Sequence, residues 1–234
     1  MNSHPVILLL KKYQGQFHPV VIFNQEKDKL ISLDFTADNK DLKPGILNNT
    51  AEFITYINDK LHHAGARYGI GGYAEYRTVY TTSNVFDAEV HGDEPRRLHL
   101  GTDIWGKPNT SVMAPFDSLV HSFAFNDRFG DYGATIILTH RIEVVAFYTL
   151  YGHLSLNSIR NIREGERLYK GDVFAEFGIP AENGHWPPHL HFQIIADLGN
   201  HKGDYPGVCK FSEKEKWLAN SPDPDLILQL NQYL

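Results

Sequence analysis

Cysteine is almost missing from this chain of 234 residues, and its scarcity limits the kinds of metal site that are possible. Cys209 stands alone, so the chain can form neither an internal disulfide nor a zinc site built from several thiolates. Any metal ion must therefore be held by histidine, aspartate or glutamate. Thirteen histidines make such a site possible, although most of them need no functional explanation.

Long apolar runs are also missing. The longest, Val6–Leu10, is too short even for the core of a signal peptide, and none reaches the roughly 18 residues of a membrane-spanning helix. We therefore expect no membrane partner. Because Met1 opens the chain without a positively charged leader, we expect a native start and, by default, a cytoplasmic location, with export by another route left open.

The chain has no run of five like charges and no basic stripe, and its formal net charge is −6. This balance disfavours nucleic acid as a partner. There is no internal repeat, low-complexity tract or long linker. The length suits one sizeable domain or two small ones, and if there are two lobes, their seam lies between about residues 65 and 95.

The first third of the chain mixes short strands with one helix. Strands are predicted over Val6–Lys12, Pro19–Asn24 and Lys29–Phe35. A helix is predicted over Asn49–His63, because Asn49 can cap it and an apolar stripe follows at helical spacing. The glycine-rich stretch Tyr68–Arg77 follows a helix instead of a strand, so we interpret it as a connection and not as a phosphate-binding loop.

From Leu98 onward the pattern is typical of an all-β domain, with short apolar runs separated by turns rich in glycine, aspartate, asparagine and proline. Strands are predicted over Ser118–Phe123, Ala134–Thr139, Ile142–Thr149, Val173–Phe177 and His189–Ala196. This even spacing indicates a β-sandwich or a barrel.

The stretch PPHLHFQI places His189 and His191 two residues apart. If this is a strand, both imidazoles project from one face, roughly 7 Å apart at the Cα atoms, while Leu190 and its apolar neighbours anchor the other face. A catalytic zinc usually takes three protein ligands and keeps one position open, so further donors must come from elsewhere.

Two other segments offer such donors. LHLGTDIWG carries His99 and Asp103, and Gly101 between them would let the chain bend so that both side chains converge. TLYGHLS places His153 at the end of an apolar run. Each piece alone is weak, because single histidines on strands and loops are common, but the three together predict a metal site. The other histidines outside the site are interpreted as surface or structural residues: His4, His18, His62, His63, His91, His121, His140 and His201.

With these segments the sequence resembles the lysostaphin/LytM-type zinc metallopeptidases. HLGTDIW, VMAPFDSLV, DYGATIILTH, YTLYGHLS, EGERLYKGD and PPHLHFQI occur in the family's order over roughly residues 98–196. The resemblance implies one Zn²⁺ on His99, Asp103 and His191, with His153 and His189 as unliganded catalytic histidines. It also implies a mainly β fold, α+β overall: a two-sheet antiparallel, sandwich-like catalytic domain with an open groove, plus a small N-terminal α/β accessory region.

The expected organisation is an accessory region over 1–90, the LytM-type zinc peptidase domain over 91–200, and a C-terminal tail over 201–234 that packs on the domain.

Two departures from the family pattern stand out: Ser118 replaces a frequent glycine, and GIPAENGHWPP replaces the usual small loop before the two strand histidines. A second, fainter resemblance is to the peptidase-like middle segment of phosphotransferase–aminotransferase fusion proteins, carried by GIGGYAEYRTVYT, ENGHWPPHLHF, GDYPGV and SPDPDLIL.

The resemblance implies a zinc-dependent metalloendopeptidase that hydrolyses a peptide or amide bond with a metal-activated water. Its expected partner is a peptidoglycan-type or glycine-containing peptide. Alternatives are an intracellular zinc amidase or peptidase on a small substrate, and a regulatory module that uses the groove without chemistry. Candidate substrate-binding residues are Trp105, His185 and Trp186.

Overall fold

The computed structural model describes residues 4–82, 86 and 93–234, so the prediction for His91 lies outside the described residues. The strands are β1 (Leu30–Leu33), β2 (Tyr68–Gly71), β3 (Leu98–His99), β4 (Thr102–Trp105), β5 (Ser111–Met113), β6 (Ser118–Asn126), β7 (Gly133–Ile142), β8 (Val145–Leu154), β9 (Arg167–Leu168), β10 (Val173–Glu176), β11 (His189–Ile195) and β12 (Val208–Cys209). The helices are α1 (Pro5–Tyr13), α2 (Pro44–Leu47), α3 (Thr50–Ala64), α4 (Leu156–Arg160), α5 (Lys214–Asn220) and α6 (Asp225–Leu228). None of the described helices is long and apolar enough to cross a membrane.

Eight strands form one central sheet in the order β1–β2–β4–β11–β8–β7–β6–β9. The pair β1–β2 is parallel, and the other neighbours are antiparallel. Two-stranded sheets formed by β5 with β10 and by β3 with β12 complete the β structure. The predicted mainly β, α+β fold is confirmed, and the five strands predicted after Leu98 correspond to β6, β7, β8, β10 and β11.

Strand β11 lies inside the central sheet between β4 and β8, and all seven of its residues are buried. The side chains of one face belong to the main hydrophobic core: Leu190, Phe192 and Ile194. On the other face, His189 lies opposite Trp105 of β4 and His191 lies opposite Asp103. Because β11 is paired on both sides and buried on both faces, its two imidazoles have little freedom to move.

The prediction of a strand over Val6–Lys12 is wrong, because these residues lie in helix α1. The side chains of Val6, Leu9 and Leu10 are buried at helical spacing, and the His4 imidazole accepts a hydrogen bond from the Val6 N–H. A short apolar run fits a strand or a buried helix equally well, and here the cap and the proline at the first turn favour the helix. With α1 and α2, the first 90 residues contain more than the single predicted helix.

The strand predicted over Pro19–Asn24 is also wrong, since the chain there is irregular although Val20 and Val21 are buried. The stretch predicted as a connection, Tyr68–Arg77, begins with strand β2. All four residues of β2 are buried, and its backbone pairs with β4, so two strands from the first 90 residues extend the central sheet.

The predicted helix over Asn49–His63 is confirmed as α3. The Asn49 side chain accepts hydrogen bonds from the backbone N–H groups of Ala51 and Glu52, which otherwise have no partner in the first turn. The helix ends at Gly65, whose φ of 59° is in the left-handed region that glycine adopts without strain.

His140 offers a test of this packing because it is buried in β7 and neutral. Burial lowers the pKa of His140 to about 4, while an unfolded histidine titrates near 6.5. The unfolded state therefore binds the extra proton first, so stability is complete above about pH 6.5 and falls as the pH is lowered toward 4. We expect His140→Phe to reduce the slope of the unfolding free energy by up to about 1.4 kcal/mol per pH unit in this window. Urea unfolding at several pH values measures the slope.

The control is Phe147→Leu, because the Phe147 ring stacks on His140 at 4.9 Å between centroids and carries no titratable group. It should lower stability by a similar amount at pH 7 and pH 5. An unchanged slope in His140→Phe would show that His140 is not held neutral by the fold.

Candidate metal centre

Three buried side chains meet beside the paired strands β4 and β11: His99, Asp103 and His191. One donor atom from each lies within 4.8 Å of the others. His99 Nε2 is 2.9 Å from His191 Nδ1, and Asp103 Oδ1 lies 3.3 Å and 3.1 Å from these nitrogens. Atoms that bind one tetrahedral zinc at about 2.0–2.1 Å are about 3.3 Å apart, so the spacing fits a single ion.

Hydrogen bonds on the outer side of the two imidazoles determine which ring nitrogens carry protons. His99 Nδ1 lies 3.0 Å from the carbonyl oxygen of Gly72, which can only accept. His191 Nε2 lies 3.0 Å from Gln193 Oε1, and the Gln193 amide nitrogen donates to Pro206 and to Ser221, which sets the orientation of the amide. Both outer nitrogens are therefore N–H donors.

When both rings are neutral, the two inner nitrogens, His99 Nε2 and His191 Nδ1, are unprotonated, and their lone pairs converge with the Asp103 carboxylate. Three electron-rich atoms at this distance repel one another unless a cation lies between them. Two neutral imidazoles and one carboxylate suit zinc better than magnesium or calcium, which prefer all-oxygen surroundings. The donor set thus fits the ion that the sequence implies.

The electrostatics of the site agree with this protonation pattern. Burial, followed by the charge of Arg77, lowers the pKa of His99 to about 4. Burial would raise the pKa of Asp103, but the His99 imidazole and the charge of Arg77 hold it well below its usual range. Because His99 is neutral at neutral pH, Arg77 is the permanent cation beside Asp103. The carboxylate is therefore ionised and the imidazole is neutral, as metal binding requires.

His153 and His189 lie next to this cluster, with ring centroids 4.1 Å apart. Each donates its Nδ1–H to a backbone carbonyl at 2.8 Å, His153 to Asn183 and His189 to Pro187, which leaves both Nε2 atoms as acceptors. Burial lowers the pKa of His189 to about 4, and burial together with His189 lowers the pKa of His153 well below its usual range. Two neutral imidazoles with unprotonated Nε2 atoms thus stand side by side.

His153 also has a φ of 62°, in the left-handed region that costs a non-glycine residue about 1 kcal/mol. Its backbone N–H donates to the Tyr132 carbonyl at 2.8 Å, which helps to hold this conformation. Backbone strain of this kind persists only where the surrounding contacts hold the residue in place. At His153 the strained backbone directs the imidazole toward His189.

A cavity of about 660 Å³ borders these groups, and its lining includes Asp103, His153, His189 and His191. Tyr80 and Phe86 of the accessory region and Trp105 and Trp186 of the predicted substrate-binding set also line it. The Trp105 ring stacks on His189 at 3.8 Å between centroids. His185 lies in a smaller depression, which Trp186 also lines, and its ring stacks on Phe129.

Gly101 and Gly152 have no side chain, which leaves space for the rings of His191 and Tyr132. A Cβ on Gly101 would lie 2.5 Å from the His191 ring, and a Cβ on Gly152 would lie 2.4 Å from the Tyr132 ring. Gly101 is required because the His191 imidazole lies directly over it. This steric reason is separate from the bend of the chain that the sequence predicts at Gly101.

Three residues of the site are absent from the sequence-based prediction: Arg77, Tyr132 and Gln193. The Tyr132 hydroxyl lies 3.3 Å from His191 Nε2 and its ring lines the cavity. Gln193 follows His191 by two residues on the same strand face, so the period of two could have indicated it. Arg77 contacts Asp103 across 26 residues of sequence, and no local pattern signals that contact.

The segment that carries the site is similar to known peptidases. Residues 97–203 match the model of Peptidase family M23. The matched segment contains His99, Asp103, His153, His189 and His191, and the predicted resemblance to lysostaphin/LytM-type peptidases is confirmed. The fainter resemblance to the fusion proteins stays a prediction.

The individual proteins to which the chain is similar are 25% identical to it or less. The chain is 25% identical over 179 residues to the L-Ala--D-Glu endopeptidase of Bacillus subtilis (strain 168), which covers 71% of this chain and 52% of the relative. The chain thus spans about half the length of that relative. Among solved structures, the catalytic domain of the antimicrobial peptidase lysostaphin from Staphylococcus simulans matches with a TM-score of 0.44 and 21% identity over 75% of this chain and 97% of that chain. A zinc containing peptidase from Vibrio cholerae matches with a TM-score of 0.35 and 21% identity, over 47% and 30% of the two chains.

Proposed function

We propose that this protein is a zinc-dependent metallopeptidase that hydrolyses a peptide or amide bond. The observation that carries the proposal is the convergence of two imidazole nitrogens and one carboxylate oxygen, with two further neutral imidazoles beside them, at a cavity lined by Asp103 and three of the four histidines. His99, Asp103 and His191 would hold one Zn²⁺. When bound, the ion would lower the pKa of a water ligand and polarise the scissile carbonyl.

The two other histidines would handle protons. The Nε2 atoms of His153 and His189 are acceptors in the neutral state, so either can take a proton from a nucleophilic water and later donate it to the leaving amine. Their backbone acceptors, the carbonyls of Asn183 and Pro187, would stabilise the imidazolium that forms. The two ring centroids lie only 4.1 Å apart, so two imidazolium charges would repel each other. The pair therefore takes up one proton readily but not a second.

Tyr132 would supply a hydrogen bond to the oxygen on which negative charge develops. Burial holds the pKa of Tyr132 well above its usual value, so the hydroxyl keeps its proton and acts as a donor. Its place beside His191 puts this donor at the proposed metal ligands, and donors at such positions contribute strongly to acyl-transfer reactions.

For the substrate, we propose a peptide of the peptidoglycan type, which the name of the Bacillus relative supports. The second candidate is a short peptide or amide. It is favoured by the accessory region, because Tyr80 and Phe86 contribute to the cavity wall and the five proposed site residues are all buried. Trp105 and Trp186 would contact the substrate. In this proposal residues 1–90 are an accessory region, 91–200 the catalytic domain and 201–234 a tail.

The test uses the purified full chain. We expect about one zinc per chain by elemental analysis, and hydrolysis of at least one substrate in a panel of muropeptides, pentaglycine and dipeptides. Activity should disappear with 1,10-phenanthroline and return with added zinc. Stoichiometric zinc without any turnover would instead support a binding module, and the lack of stoichiometric zinc would overturn the metal site itself.

A further inference from the structure

The Asp103 carboxylate has two oxygens with different surroundings. Oδ1 faces the inner nitrogens of His99 and His191, whereas Oδ2 accepts a hydrogen bond from Arg77 Nη1 at 2.5 Å. A free carboxylate can rotate and offer either oxygen, or both, to a metal ion. The contact with Arg77 assigns one oxygen to the guanidinium and leaves the other for the metal side.

Arg77 is itself held rigidly. Its side chain is buried, its Nε donates to Glu75 Oε2 at 2.6 Å, and its Nη1 donates to the Tyr80 hydroxyl at 3.1 Å. Its guanidinium lies over the Phe35 ring at 5.1 Å. A Cβ on Gly71 would lie 2.8 Å from Arg77 Nη2, so the glycine leaves space for the planar group.

The same segment also supports His99. The Gly72 carbonyl accepts from His99 Nδ1, and the backbone pairs with β3 through the Ala74 N–H to His99 and the His99 N–H to Glu75. Residues 72–77 precede the matched M23 segment, which begins at residue 97. Two of the three proposed ligands are thus oriented by a part of the chain that lies outside the matched domain.

We infer that Arg77 is a positioning residue of the metal centre, which presents Asp103 as a one-oxygen ligand and joins the accessory region to metal binding. The inference rests on the proposed zinc site and adds a role for residues 72–77. Outer partners of metal ligands typically change metal affinity by about 10- to 100-fold when they are removed.

The experiment measures zinc affinity by chelator competition in the full chain, for the wild type and for Arg77→Met, Arg77→Lys and Glu75→Gln. We expect Arg77→Met to raise the zinc dissociation constant about 10- to 100-fold. Arg77→Lys keeps the charge but not the planar donor group, and it should restore part of the affinity. Glu75→Gln is the matched control, because it changes another partner of Arg77 and leaves the bond to Asp103, so it should change the affinity least.

Cobalt substitution gives a second readout that stability alone does not affect. Freed from Arg77, Asp103 can bind through both oxygens, which raises the coordination number and weakens the visible absorption of bound Co²⁺.

Circular dichroism identifies which variants are folded, and if Arg77→Met does not fold, Arg77→Lys decides. If Arg77 acted only through its positive charge, it would repel the zinc ion, and Arg77→Met would then bind zinc more tightly than the wild type. Unchanged or tighter zinc binding with a wild-type cobalt spectrum, in a folded variant, would overturn the inference. Absence of zinc from the wild type would refute the proposed function instead.

Discussion

Replacing His191 by alanine should leave the protein folded but nearly free of zinc, with its content falling from about one ion per chain to below roughly a tenth after dialysis. The reason is geometric, because His191 Nδ1 lies 2.9 Å from His99 Nε2 and 3.1 Å from Asp103 Oδ1 and so completes the set of three donors. Without it, only two donors remain. Elemental analysis and chelator competition measure the loss, and hydrolysis should disappear with the metal.

Two variants sharpen this result. Asp103→Asn keeps the size of the side chain and an oxygen acceptor for Arg77 but removes the negative charge, so it should also lose most of the zinc. His62→Ala, on the exposed side of α3, is the matched control and should bind zinc like the wild type. Full zinc occupancy in both His191→Ala and Asp103→Asn would refute the ligand assignment.

Replacing His189 by asparagine should have the opposite pattern: zinc is retained while turnover falls by about 10²- to 10⁴-fold. His189 lies beside the proposed ligands, but its Nδ1 is committed to the Pro187 carbonyl and its ring is stacked on Trp105. It can therefore be removed without removing a metal donor. The measurement is kcat at saturating substrate, together with zinc content from the same preparation.

His153→Asn gives the parallel test, and asparagine is chosen because it tolerates the left-handed backbone at this position better than alanine. We expect a loss of kcat within the same range, and a smaller loss for Tyr132→Phe, which removes one hydrogen-bond donor. If the double variant of His153 and His189 lost no more than either single variant, the two imidazoles would act as one unit. Wild-type kcat in both single variants would remove them from the mechanism.

Much of the β domain could be predicted locally. The alternation in HLHFQI indicates a strand with two imidazoles on one face, and β11 has that form because its apolar residues enter the core. Asn49 and the apolar stripe after it likewise indicate α3. The same reasoning failed at Val6–Lys12, where a short apolar run has no period of its own and the cap at His4 determines the helix.

The sequence by itself determined which side chains can carry the chemistry: the paired histidines of β11, the His99 and Asp103 pair, and His153 after a glycine. Only the tertiary structure decided how they are arranged. The pairing of β11 with β4 places His191 opposite Asp103, and backbone carbonyls from separate loops select the ring nitrogens that stay unprotonated. Arg77 reaches Asp103 because β2 joins the sheet beside β4. Such contacts depend on register and long-range packing, which side-chain periodicity along a single segment does not encode.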